Sequence, residues 1–220
     1  MIRASDRPVR RATQLLAGLV LFGLALAALV KADLGLDPWT VFNQGVARHT
    51  GLTIGEVTVI GSLLLLVLWI PLRQRPGIGT VANALIVGPV LDLGIAHLPT
   101  PGAPLVQVVY MLGGILASAV ATGLYVGAGW GPGPRDGIMT GLHARGIPIP
   151  LARGGVEVTV LVVGFLLGGT VGIATVLFAV TIGPLVKPAL QRLSVGPSRP
   201  DRPPRGRRRR EAELAAADQA

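Results

Sequence analysis

Cysteine is absent from the 220 residues, which excludes disulfides, thiol nucleophiles and Cys-ligated metals together and leaves the redox compartment open. Charge is also sparse, at 14% of residues, against a hydrophobic share of 50% and a mean hydropathy of +0.62. Missing too are the short motifs of common enzymes: no Gly-x-Ser-x-Gly, no His-Glu-x-x-His and no Gly-Lys-Ser/Thr phosphate loop occurs. The glycines at 127, 129, 131 and 133 alternate without a strand before them, so they do not make a dinucleotide loop. His49, His97 and His143 are scattered, with no second ligand at metal spacing. The chain is therefore expected to be neither an enzyme nor a metalloprotein, and to need no cofactor.

What is present is apolar sequence in blocks. Runs broken by Gly rather than by charge cover residues 12 to 30, 54 to 72, 78 to 98, 105 to 126, 152 to 168 and 170 to 190. Each is near the roughly 17 to 25 residues that cross hydrocarbon as a helix. No period-2 alternation is sustained, which argues against an outer-membrane barrel. The expected fold is an all-α membrane protein with about six transmembrane helices.

The net charge of +9 resembles a nucleic-acid footprint until it is mapped. With Met1 inside, eighteen of the twenty Lys and Arg residues fall on one side of a six-span topology, leaving Lys31 and Arg48 on the other. That follows the positive-inside rule, so both basic tails, residues 1–11 and 191–220, are expected in the cytoplasm of a bacterial inner-membrane protein that binds no nucleic acid. Arg10, Arg11, the apolar stretch behind them and Ala25 to Ala28 also imitate a secretory signal peptide. Retention is favoured because the first span is needed as the partner of the fourth in a repeat.

The repeat is visible at a nearly fixed offset. Gly77 to Pro89 matches Gly172 to Pro184 at seven of thirteen positions, and Glu56-Val57-Thr58-Val59 reappears as Glu157-Val158-Thr159-Val160. Ala32, Gly35, Pro38 and Gly45 likewise meet Ala128, Gly131, Pro134 and Gly141. The units run over 12–98 and 105–190, joined by a linker at 99–104. Three spans per unit is an odd number, so the second copy enters the membrane in the opposite sense, as in many secondary transporters.

Each unit also carries a short segment, at 31–45 and at 127–141. Asp37 is a plausible N-cap with Pro38 at the first helical position, and Gly133-Pro134-Arg135-Asp136 repeats the design. The helices these start, about 38–48 and 134–145, are too short to span, so they are re-entrant or interfacial. Pointed inward, their free N–H groups suit an anion or carboxylate. The plainer alternative is a pair of surface loops anchoring Trp39 and Trp130 at the membrane interface.

The stretch from Lys31 to Thr40, the glycines at 79 and 88 spaced around Asn83 with Asp92 beyond, and the Gly133-Pro134-Arg135-Asp136-Gly137 core resemble the YczE-like, YitT-related bacterial membrane proteins over roughly residues 13 to 190. The resemblance implies a polytopic inner-membrane protein but no substrate, reaction or catalytic residue. It also implies an acidic residue in many relatives where Thr40 stands here.

Asp33, Asp37, Pro38, Asn83, Arg135 and Asp136 are the candidate substrate-binding residues. Glu56, Glu157 and Asp92 are the candidate proton carriers, since ionisable groups inside spans are costly and tend to be functional. Plainer roles compete. Thr53-Ile54-Gly55-Glu56 has capping-box spacing, Arg153 precedes Glu157 by four residues, and Asn83 suits a helix-to-helix hydrogen bond. Asp92 and Lys187 occupy equivalent helix ends with opposite charge. The tail from about Ser194 is expected to be disordered, with Arg207 to Arg210 available to anionic lipid headgroups.

The functional expectation is a small secondary transporter or permease for a small solute or ion, the alternative being a non-transporting scaffold or regulator of a partner protein. A homodimer is compatible with either.

Overall fold

The computed structural model describes residues 8–195. The basic extremities, including Arg207 to Arg210 with their expected lipid contact, lie outside the described residues. Eight helices follow in order: α1 (Pro8–Ala32), α2 (Pro38–Thr50), α3 (Ile54–Trp69), α4 (Ile78–His97), α5 (Pro104–Gly127), α6 (Pro134–His143), α7 (Ile149–Leu166) and α8 (Ile173–Leu193). There is no strand among the described residues. Five helices, α1, α4, α5, α7 and α8, are long and apolar enough to cross a membrane. The pair α2 and α3, bent by 111°, makes a sixth span if it is counted as one.

Local chemistry sets the breaks. Asp37 caps α2 by accepting from the Thr40 N–H at 3.3 Å, with Pro38 just inside, and Gly51 ends the helix in the left-handed conformation, its N–H on the Ala47 carbonyl. Two residues later the Thr53–Glu56 capping box starts α3, with both reciprocal bonds present. Turn and caps together make the sharp bend.

Helices α1–α4 and α5–α8 form two sets with the same element order, and their contacts correspond. α1 packs on α4 as α5 packs on α8, and α2 packs on α7 as α3 packs on α6. The contacts agree residue by residue at an offset of 95 or 96. A Cβ added to Gly94 would lie 2.5 Å from the Ala27 Cβ, and one added to Gly123 would lie 2.7 Å from the Ala189 Cβ. The equivalent pairs therefore touch at the same place with glycine on opposite partners, as close helix approach in membranes requires. The same exchange of sizes occurs where Val41 faces Gly164 and Gly137 faces Trp69.

Helices α1 and α5 form the centre and run antiparallel: Gly18 meets Ala121 and Tyr125, and Gly114 meets Ala25 and Leu29. Leu15, Leu19, Leu26 and Leu29 are buried there with Met111 and Ile115. α1 is thus integral to the core. At one end of the bundle Gln14 donates to the carbonyls of Leu124 and Leu193, gathering the start of α1 and the ends of α5 and α8. At the other end, Lys31 Nζ bonds Thr100 Oγ1 in the α4–α5 turn.

Candidate functional site

The loops before the two short helices dock on the other set's last helix. The Leu34 carbonyl accepts from the Ala174 N–H at 2.9 Å, and the Trp130 carbonyl accepts from the Gly79 N–H at 2.9 Å. Beside each bond sits a buried threonine. Thr175 Oγ1 accepts from the N–H of Leu36 at 3.1 Å and of Gly172 at 3.2 Å. Thr80 Oγ1 donates to the Pro132 carbonyl at 2.7 Å and accepts from the Gly77 N–H at 3.2 Å. Gly35 and Gly131 have φ of 107° and 127° there, and a Cβ on either would come within 2.6 Å of the docked helix start. Each threonine latch thus ties off otherwise orphaned backbone groups.

These latches fix where α2 and α6 begin. Arg135, in the first turn of α6, approaches the Asp37 cap of α2 at 3.6 Å, and its guanidinium carbon lies 5.0 Å from the centroid of the Trp39 ring. The two short-helix N-termini therefore converge on one cavity of about 290 Å³, which Asn83, Tyr125, Asp136 and Glu157 also line. Asp37 is 3% exposed, and its Oδ1 is buried with no donor on it. The Gly133 N–H donates to Asp136 Oδ2 at 3.1 Å. On α7, Arg153 and Glu157 pair at 2.9 Å on the same cavity. The hydroxyl of Thr40, also buried, has no hydrogen-bond partner.

Of the residues singled out in the sequence, Asp37, Pro38, Asn83, Arg135, Asp136 and Glu157 are brought together here. Three are not among the lining residues. Asp33 is exposed in the turn after α1, with a left-handed φ of 54°. Glu56 is exposed and serves the capping box of α3. Asp92 accepts from the Gly55 N–H at 2.8 Å and from Thr53 Oγ1 at 2.5 Å, so it holds the start of α3 from α4, and no Asp92–Lys187 pair forms among the described residues.

Several expectations change in consequence. Glu56 and Glu157 are not a matched pair: Glu56 lies in the first turn of α3, whereas Glu157 lies two turns into α7, where the structural offset of 95 pairs it with Ser62. The short-helix N-termini are not open anion sites either, because each has its own carboxylate on a backbone N–H. Arg135 is an interior residue rather than a loop charge. Asn83 faces the cavity and makes no side-chain hydrogen bond to another helix among the described residues. Trp39 stacks with Arg135 on the cavity wall rather than anchoring a loop.

Other residues of the site went unread in the sequence. Tyr125 and Phe178 lie within apolar runs and give no signal of their own. Thr80 and Thr175 could have been found, as identical polar residues inside the strongest stretch of the repeat. The three histidines bond carbonyls four residues away, Gly45, Leu93 and Ile147, and no group that could hold a metal occurs among the described residues.

Comparison with known proteins agrees with the fold. The model of the Family of unknown function (DUF6198) matches residues 9–190. An "Uncharacterized protein" of Haemophilus influenzae is 38% identical over 174 residues, covering 79% of this chain and 80% of its own. The "Uncharacterized membrane protein YczE" of Bacillus subtilis is 32% identical over 183 residues, covering 81% of this chain and 85% of its own. No solved structure matches. With a family model covering most of its length and a membrane protein among its relatives, this chain belongs to the DUF6198 family, as a YczE-like multi-helix membrane protein.

Proposed function

We propose that the protein is a small secondary transporter of the bacterial cytoplasmic membrane, built as two inverted repeats with both basic ends in the cytoplasm, and that the central cavity is its solute site. It is a carrier rather than an enzyme. Its partners are the bilayer, with anionic lipid at the basic tail, and the solute, and its positive charge serves topology rather than nucleic-acid binding.

The observation that carries this reading is the convergence of two short-helix N-termini on one charged cavity between the two helix sets. Transporters of this architecture place their sites at such discontinuous helices near the midplane. The antiparallel packing of the equivalent helices α1 and α5 supports the inversion.

An asymmetry supports alternating access. α3 closes on α4, where a Cβ on Gly55 would overlap the Gly88 carbonyl oxygen and where Asp92 holds the start of α3. α7 makes no comparable contact with α8, and a Cβ added to Gly183, the equivalent of Gly88, would meet nothing within 4 Å. One repeat is shut and the other open. On this reading the opposite state has α7 closed on α8 and α3 withdrawn from α4.

Two measurements test the proposal. Single cysteines replacing Arg48 and Arg145, both exposed, should label from opposite faces of the membrane; labelling from one face rules out the inverted repeat. Purified protein in proteoliposomes should take up at least one member of a panel of small solutes, and the Asp37→Asn variant should slow that uptake. Uptake no greater than in empty liposomes throughout replaces transport with a non-transporting scaffold.

A further inference from the structure

The charges of the cavity identify the chemistry of its ligand. Three carboxylates, Asp37, Asp136 and Glu157, face it against two guanidinium groups, Arg135 and Arg153. Glu157 and Arg153 are paired with one another at 2.9 Å. The positive ends of α2 and α6, which would otherwise favour an anion, are occupied by their own carboxylates through the N–H groups of Thr40 and Gly133.

What remains is an acceptor in need of a donor. Asp37 is nine-tenths buried and more; its Oδ2 faces both Arg135 and the Thr40 N–H, while Oδ1 has no hydrogen-bond partner. A buried carboxylate oxygen is matched by an N–H or O–H donor and is repelled by a second anion. The cavity also has aromatic walls: the Arg135 guanidinium already covers the Trp39 ring, while Phe22 and Phe178 offer faces that attract cations as well as apolar bodies. A volume of about 290 Å³ holds a molecule of amino-acid size rather than an oligomer or a lipid.

We infer that the cavity binds a small organic cation carrying N–H donors, a primary or secondary amine, with its ammonium group on the Asp37 carboxylate and its apolar body against the aromatic walls. The inference rests on the cavity being the solute site. It excludes two otherwise similar classes: carboxylates, which the Asp37 carboxylate repels, and quaternary ammonium ions, which have no N–H to donate.

The test uses the full-length protein in detergent, titrated with benzylamine, benzyl alcohol, benzoate and tetramethylammonium, and followed by melting temperature and by tryptophan fluorescence, to which Trp39 on the cavity wall contributes. Benzylamine should raise the melting temperature saturably and change the fluorescence, with benzoate and tetramethylammonium silent and benzyl alcohol weak. Asp37→Asn should weaken benzylamine binding at least about tenfold, the scale of a charge-assisted hydrogen bond.

Binding of benzoate in preference to benzylamine, equal binding of tetramethylammonium, or full retention in Asp37→Asn would each overturn the assignment, as would no response to benzylamine at all. If Asp37→Asn fails to fold, the wild-type series decides alone. Proteoliposome flux separates the two proposals: uptake of benzoate but not benzylamine leaves a transporter with a different ligand, whereas benzylamine binding without any uptake leaves the ligand class and removes transport.

Discussion

Replacing Thr80 by valine keeps the shape of the side chain and deletes its hydroxyl, which bridges two backbone groups at the start of α4. The Gly77 N–H loses its acceptor at 3.2 Å and the Pro132 carbonyl loses its donor at 2.7 Å. Thr80 is fully buried, whereas Gly77 and Pro132 are half-buried, so water can offset part of the loss. Leaving a buried polar group unsatisfied costs about 1–3 kcal/mol, so two such groups set an upper range of about 2–6 kcal/mol. Side-chain hydrogen bonds in membrane proteins average nearer to about 0.6 kcal/mol, which sets a floor of about 1 kcal/mol for two. Thr175→Val should fall in the same range, because it strands the N–H groups of Leu36 and Gly172. The latches share no partner, so the double variant should lose about the sum of the single losses. Thr80→Ser and Thr175→Ser keep the hydroxyl and should lie within about 1 kcal/mol of wild type, the cost of one buried methyl group. Reversible unfolding in mixed detergent micelles provides the assay. If the Val and Ser variants are equally stable at both sites, the hydroxyls are not what hold the loops to the helices, and the latch account is refuted.

Further predictions follow from contacts elsewhere in the fold. Gly137→Ala should disrupt folding or cost more than about 3 kcal/mol, since the new Cβ would overlap the Trp69 ring and displace the Trp69 Nε1 bond to the Pro134 carbonyl, whereas Gly113→Ala, with nothing within 4 Å, should be near neutral by detergent melting. Arg135→Leu leaves Asp37 buried without its counter-charge and should cost about 2–4 kcal/mol, the low side of a broken buried pair because the guanidinium is 20% exposed; Asp37→Asn combined with Arg135→Leu should recover part of it in a double-mutant cycle. Glu56→Gln, on an exposed cap, should change stability by less than about 1 kcal/mol, while Asp92→Ala should cost more, since it strands the Gly55 N–H and frees α3 from α4. Equal effects of the last two would contradict the roles given to them.

The sequence carried the element plan because that plan depends on local and periodic signals. Apolar runs of spanning length, Pro at the first helical position, an Asp cap at 37 and a capping box at 53 all act within a few residues of themselves, and each is found in the structure where those signals stand, except that the run at 54 to 72 gives a helix of 16 residues that makes a span only together with α2. The correspondence between the halves was equally legible, since matched Gly, Thr and Pro positions are preserved in the chain itself. The same local signals drew Asp33, Glu56 and Asp92 into the candidate set although none of them lines the cavity, because a carboxylate in an apolar neighbourhood looks alike whether it caps a helix or lines a cavity.

Which of these carboxylates share a space depends on how the folded chain brings distant segments together. Asp37 and Arg135 are 98 positions apart and lie in different halves of the chain; their meeting depends on two loops docking across the molecule through Thr80 and Thr175. Likewise the packing of α3 on α4, with no comparable packing of α7 on α8, cannot be read from two similar segments, since similar sequences there adopt unlike contacts. The chain by itself determines where helices start, stop and bend, because those terms are local. Which charges end up facing one another, and which helices pack together in each half, are set by contacts between distant segments, and for those the fold has to be formed.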